Sequence, residues 1–395
     1  MNNNNTKYKD SPLGKIPNDW EVVRISDYGK VYTGNTPPTN DLENYGFEFL
    51  FVSPSDLGSD KYILNTEKKL SKKGFSISRK FPSGSVLFTC IGSTIGKAGV
   101  ASVELTSNQQ INAIVVDEKY SNEFLYYALN HNADKIKLLA GEQAVPILNK
   151  SQFESVRIIC PPLPEQKAIA NILSLMDAVI NKNNQLIAKK ELQKKWLMQN
   201  LLTGKKRLLN DELGIINYEL KQVFFGNFCR VSKGKAISAK NISNGIYPVI
   251  AGGQTSPYSH NQFTHENIIT VSASGAYAGF VAFHGNKIWA SDCSVIEEIE
   301  NVSNIHYLYY FLKFKQELIY SLQAGGAQPH VFPKDIYNLS FIIHNSIEEQ
   351  TAIAQVLQAA DKEIQLLKTK TEKLREQKKG LMQVLLTGKK RLVIN

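Results

Sequence analysis

Two stretches decide the reading of this chain: Glu165–Leu208, EQKAIANILSLMDAVINKNNQLIAKKELQKKWLMQNLLTGKKRL, and Glu349–Leu392, EQTAIAQVLQAADKEIQLLKTKTEKLREQKKGLMQVLLTGKKRL. They align without a gap at an offset of 184 residues, and about half of the positions are identical. Agreement over that length marks an internal repeat. The echo continues upstream. Phe124-Leu-Tyr-Tyr answers Tyr307-Leu-Tyr-Tyr, Gly141-Glu-Gln answers Gly326-Ala-Gln, and the Gly92–Gly96 stretch answers Gly275–Gly279. The chain therefore reads as a tandem duplication, each half a globular unit followed by one long element.

That long element has the spacing of a helix with a heptad seam. Ile353, Leu357, Ala360, Ile364, Leu367, Thr371, Leu374, Lys378, Leu381 and Leu385 alternate steps of four and three, and Ile169 through Leu201 keep the same register. Such a stripe must be covered by a partner helix. Both copies run into Leu-Leu-Thr-Gly, where Gly204 and Gly388 can adopt the left-handed conformation that closes a helix. Lys-Lys-Arg follows each, and cations are favoured at a helix C-terminus. A helix of about 40 residues is roughly 60 Å long. Pairing the two antiparallel would put a globular unit at each end of a rod; pairing with another chain is the alternative.

The fold class expected is α+β: two globular mixed α/β domains joined by a long antiparallel helical pair. The boundaries read as 1–163 and 209–346 for the globular domains, and 164–208 and 347–395 for the helices. Gly84–Ile91, Asn112–Val116, Asn267–Ala273 and Ser294–Ile299 are strand-like. Ser121–Ala140 and Ile305–Leu322 read as amphipathic helices.

Composition narrows the class. The chain has 395 residues, 43% apolar and 21% charged, ordinary for a globular protein. No run reaches the roughly 18 apolar residues of a membrane span. The Asn-rich start, Met1–Lys9, lacks the apolar core of a secretory signal, so export is not expected. Cys90, Cys160, Cys229 and Cys293 are scattered, which suggests reduced thiols and a cytoplasmic location rather than disulfides or a zinc ribbon. The net charge of +10 sits entirely in the helices: +6 in Pro164–Leu208 and +4 in Ile347–Asn395. A basic chain points towards nucleic acid or another anionic surface, although a basic helix can also be a solvated face.

Catalytic motifs are poor matches. Gly92-Ser-Thr-Ile-Gly-Lys-Ala is one residue short of a P-loop, and Ala98 stands where a magnesium-binding hydroxyl belongs. Asn35-Thr-Pro-Pro-Thr lacks the aromatic of an amino-methyltransferase signature and no Gly-x-Gly-x-x-Gly loop accompanies it. Asp56 with Glu67-Lys-Lys has the residue types of a metal-dependent nuclease, a pattern that arises easily by chance. His260 and His265 lack the spacing and company of a zinc site. No metal ligands are expected.

Taken together these residues resemble the specificity (S) subunits of type I restriction-modification systems. Ser11-Pro-Leu-Gly-Lys-Ile-Pro-Asn-Asp-Trp-Glu-Val leading to Gly34-Asn-Thr-Pro looks like the family's opening of a target-recognition domain. Pro161-Pro-Leu-Pro-Glu-Gln-Lys-Ala-Ile-Ala looks like its run into a spacer helix, and Ser346-Ile-Glu-Glu-Gln-Thr-Ala-Ile-Ala repeats it without the prolines. The second half shows no clear copy of Gly34-Asn-Thr-Pro and begins instead with Asn217–Gly234.

The resemblance implies a non-catalytic subunit whose two target-recognition domains each read half of a bipartite site in double-stranded DNA, with the helices as a ruler. Two modification subunits, carrying S-adenosylmethionine, would bind the helices. Restriction subunits, with ATP and magnesium, would join where present. No cofactor is expected on this chain. Base edges are read by amide, hydroxyl and cationic side chains on loops. The candidates in the first half are Thr36, Thr39, Asn40, Ser93, Thr94, Lys97, Asn108, Gln109 and Gln110. In the second they are Lys233, Lys235, Gln254, Thr255, Ser256, Ser272, Ser274, Tyr277 and His330. Two other classes compete: a coiled-coil adaptor with two ligand-binding heads, and a nuclease or methyltransferase in its own right.

Overall fold

The computed structural model describes residues 7–58, 60–141, 144–208, 219–238, 242, 245–253, 258–326 and 328–392. Two compact units emerge, residues 1–182 with 371–395, and residues 183–370. The division falls inside both long helices, Leu163–Leu201 and Ile347–Leu385, each of 39 residues. Each unit thus holds the start of one helix and the end of the other.

In the first unit the central sheet has five strands in the order Gly29–Thr33, Ile111–Val116, Val86–Thr89, Ala98–Ala101, Tyr62–Ile63. All pairs are antiparallel except the last. The helix Asn122–Leu138, capped by the Ser121 hydroxyl on the Phe124 amide, packs on it through Phe124, Leu125, Tyr127 and Leu129. A second five-stranded sheet holds Tyr45–Gly46, Lys68–Leu70, Phe49–Val52, Leu105–Ser107 and Lys80–Phe81. A ribbon of Glu21–Arg24 with Arg157–Cys160 leads into the long helix.

The second unit repeats this on a smaller scale. Arg230–Lys233, Cys293–Glu297, Ile268–Ser272 and Val281–His284 form a four-stranded antiparallel sheet. Ile305–Phe314, capped by Asn304, covers it. The helix expected to reach Leu322 breaks at Lys315 and resumes as Gln316–Tyr320. Among the described residues the second sheet has three strands, Ser259–His260, Tyr247–Ile250 and Trp289–Ala290. Leu220–Phe224 and Ser340–His344 form the ribbon.

The long helices run antiparallel within each unit, their apolar seam positions packed together and the seam lysines Lys378 and Lys194 paired with Asp177 and Asp361. In the first, Ile169, Leu173 and Leu385 are buried together; in the second, Leu201, Ile353 and Leu357 are. Gly388 and Gly204 have φ of 72° and 70°, the left-handed geometry a Cβ would strain.

The junctions repeat residue for residue. Arg391 forks onto buried Glu165 at 2.7–2.8 Å, and Arg207 onto buried Glu349 at 2.6–2.7 Å. Tyr127 and Lys378 hold Asp177 in the first unit; Tyr310 and Lys194 hold Asp361 in the second. Gln166 accepts from the Ser121 amide as Gln350 accepts from that of Asn304.

Candidate nucleic-acid interface

Three loops of the first unit meet at one end of the central sheet, where Thr33 and Thr89 end their strands and Ile111 begins its own. The chain leaves Thr33 through Gly34, whose amide donates to the Ile111 carbonyl at 3.0 Å. Here glycine is obligatory: a Cβ would lie 2.2 Å from the Asn108 oxygen. Thr36 donates to the Gln109 side chain at 2.6 Å, and the Asn108 amide donates to that of Gln110 at 2.9 Å. The Gly92 loop closes the group, its amide on the Pro146 carbonyl and Gln110 beside it. Gly92 and Gly96 have φ of 91° and 106°, which a side chain would resist. Thr36, Asn108, Gln109, Gln110 and the exposed Ser93 thus share one surface.

The same corner exists in the second unit. Gly234 donates its amide to the Cys293 carbonyl, and a Cβ there would sit 2.4 Å from the Ser291 oxygen. Gly234 is therefore the structural counterpart of Gly34, and the opening that the second half had no clear copy of is Ser232-Lys233-Gly234-Lys235. Gly275 and Gly279, with φ of 82° and 89°, reproduce the Gly92–Gly96 loop. Ser274 donates to Asp292 and bridges to His330, and Tyr277 is 46% exposed beside them. Exposed Lys233 and Lys235 flank the corner, with the Lys235 ammonium 5.3 Å from the Trp289 ring centre.

Other candidates lie elsewhere. Thr39 and Asn40 are exposed, beyond Pro37-Pro38. Lys97 turns its ammonium to the Pro54 carbonyl at 3.3 Å and packs its stem over Gly58. Thr94 is half-buried in the loop, its carbonyl accepting from the Lys97 amide. Ser272 is 3% exposed in its strand with a sealed hydroxyl, so it supports the sheet rather than facing a ligand. Gln254, Thr255 and Ser256 lie outside the described residues.

Sequence reasoning missed one residue beside each corner. Arg79 is exposed, its guanidinium 2.5 Å from the Thr33 carbonyl and its amide on the Asn35 side chain. Phe332, 45% exposed, stacks on His330 at 6.0 Å. Neither stands in a repeated motif, and only folding brings each to the corner of its own unit. Asp56 is engaged structurally: its carboxylate accepts from the Ser53 amide and hydroxyl and from the Glu67 amide.

Two sheet ends, each bearing amides, hydroxyls and cations on loops held by close-approach glycines, define a duplicated recognition module. The model of the type I restriction-modification DNA specificity domain matches twice, over residues 17–192 and 217–376, and the chain belongs to that family. The MjaIX specificity subunit of Methanocaldococcus jannaschii is 28% identical over 86% of each chain. The MjaVIII subunit of the same organism is 26% identical over 96% of this chain and 94% of its own. The fold resembles the crystal structure of a type I S subunit from M. genitalium, with a TM-score of 0.65, 16% identity, and coverage of 95% of this chain and 97% of that one.

Proposed function

We propose that the chain is the non-catalytic specificity subunit of a type I restriction-modification complex. Each unit reads one half of a bipartite site in double-stranded DNA through the loops at its sheet end. The long helices set the spacing and dock two modification subunits, which carry S-adenosylmethionine; restriction subunits would bring ATP and magnesium. The carrying observation is the duplication of the loop corner at Gly34 and at Gly234. A protein with two equivalent readers suits a target with two half-sites. The family favours this reading over a coiled-coil adaptor.

Asn108, Gln109, Gln110 and Thr36 supply the paired donors and acceptors that distinguish base edges in a major groove. Arg79, Lys233 and Lys235 supply charge for phosphates. The globular halves carry no net charge, these cations included, so isolated binding is expected to be weak and salt-sensitive. Long-read methylation sequencing of host DNA, with the gene intact and deleted, tests the reading. One bipartite motif should lose methylation on deletion; an unchanged methylome beside an active partner methyltransferase would refute it.

A further inference from the structure

Among the described residues of the first unit, the most exposed large apolar side chain is Phe47, at 93%, and Leu42 beside it is 80% exposed. Leaving two such groups wet is costly, at about 25 cal/mol per Å² of apolar surface. They border a cavity of about 620 Å³ lined also by Thr39, Lys68 and Lys69. This ledge is fastened to the first recognition loop. The Tyr45 hydroxyl donates to the Pro37 carbonyl at 3.2 Å, and the Asn44 side chain to that of Pro38 at 3.1 Å.

The charge of the lining itself suits a polyanion. Outside the lining, Lys73 bridges Asp41 and Glu43 at 2.8 and 2.7 Å. Within the lining, Lys68 and Lys69 make no ion pair among the described residues and outnumber its one carboxylate, Glu67. The second unit arrives at a related feature with a different residue. Ile246, 84% exposed, immediately precedes Tyr247–Ile250. That strand corresponds to Phe49–Val52, since each pairs parallel with the strand entering the recognition corner. Phe47 and Ile246 therefore lie within one residue of equivalent positions.

We infer that Phe47, supported by Leu42, is an apolar wedge that enters the DNA duplex beside the half-site read by the first unit, with Lys68 and Lys69 holding the adjacent phosphates. Wedges of this kind partly unstack a base step and let more protein surface reach the duplex. This inference rests on the DNA-reading assignment above.

The test uses the full chain assembled with its modification subunits and a duplex carrying the methylated motif, with 2-aminopurine placed at steps flanking each half-site. Wild type should raise the fluorescence at one flanking step. Phe47→Ala should abolish that rise and weaken site-specific binding about tenfold or more, the scale of one base stacked on an aromatic ring. Lys68→Gln with Lys69→Gln should lower the salt slope by about 0.9 for each phosphate no longer neutralised, without changing sequence preference. Unchanged fluorescence and affinity in Phe47→Ala, with wild type binding its site, would overturn the wedge alone. Failure of wild type to bind any site would overturn the DNA reading and the wedge with it. Loss of modification-subunit co-purification in Phe47→Ala, with DNA signals intact, would assign the ledge to a protein partner and also overturn the wedge. Phe47 is almost fully exposed, so an unchanged Tm is expected and serves as the folding control.

Discussion

Arg391 reaches back across 226 residues of chain to close on Glu165, its Nη2 2.7 Å from Oε2. Arg207 does the same to Glu349, 142 residues away. The Arg that ends each repeat thus pairs with the Glu that begins the other. Glu165 also accepts from the Trp20 indole at 2.9 Å, and Asp19 takes the outer edge of the Arg391 guanidinium.

Removing one partner should be far worse than removing both. The Glu165 side chain is 2% exposed, so Arg391→Met leaves a buried carboxylate without its counter-charge. A loss of about 3 kcal/mol is expected from chemical denaturation. The double variant Arg391→Met with Glu165→Gln should recover most of it. Equal losses in single and double variants would show that the pairing itself is unimportant.

Gly34→Ala and Gly234→Ala force a methyl against a carbonyl oxygen at 2.2 and 2.4 Å, so the loops must shift. Each substitution should abolish recognition of one half-site while costing about 1–3 kcal/mol of stability. Binding to duplexes with either half-site scrambled separates the two effects.

His344 is buried, its Nδ1 2.9 Å from the Tyr307 hydroxyl and its Nε2 4.0 Å from Glu349. Burial holds its pKa down to about 4, with Arg207 adding to the effect and Glu349 opposing it. A depressed histidine contributes stability above its unfolded value near 6.5, and that contribution is lost as pH falls towards 4. Denaturation midpoints measured across this window should drop in wild type and less so in His344→Gln.

Cys90 and Cys293 are buried, and burial pushes both thiols up to about 12; Cys160 and Cys229 are raised for the same reason. At pH 8 native protein should react negligibly with a thiol-specific dye, and all four cysteines should react in denaturant. Fast labelling of the native state would contradict the burial.

Removing one heptad from each long helix shortens both by about 10 Å. If the helices set half-site separation, the methylated motif should lose roughly three base pairs of spacer, at about 3.4 Å per base pair. Methylation sequencing reads this directly; an unchanged spacer would separate the helices from that role.

The helices, their register and their closing glycines were legible because they depend on local spacing. Strands such as Val86–Thr89 and Ile268–Ser272 were legible for the same reason. The counterpart of Gly34 was not. The offset between halves is 200 at Gly34 and Gly234 but 183 at Phe124 and Tyr307. Among the described residues the first half carries a larger second sheet, five strands against three, and no single offset aligns the copies.

The repeat, its heptad seam and its placement of charge determined by themselves that this is a duplicated protein with two globular units and two long, basic helices. Periodicity and identity are properties of neighbouring residues, and they need no fold to be seen. Only the tertiary structure decided which polar residues share a surface. It joined Thr36 to Gln109, turned Lys97 away and buried Ser272. It also brought Arg79 to Thr33 and left Phe47 in the open. Loop side chains are placed by the sheet ends that carry them, and those ends are brought together by strand pairing between distant parts of the chain.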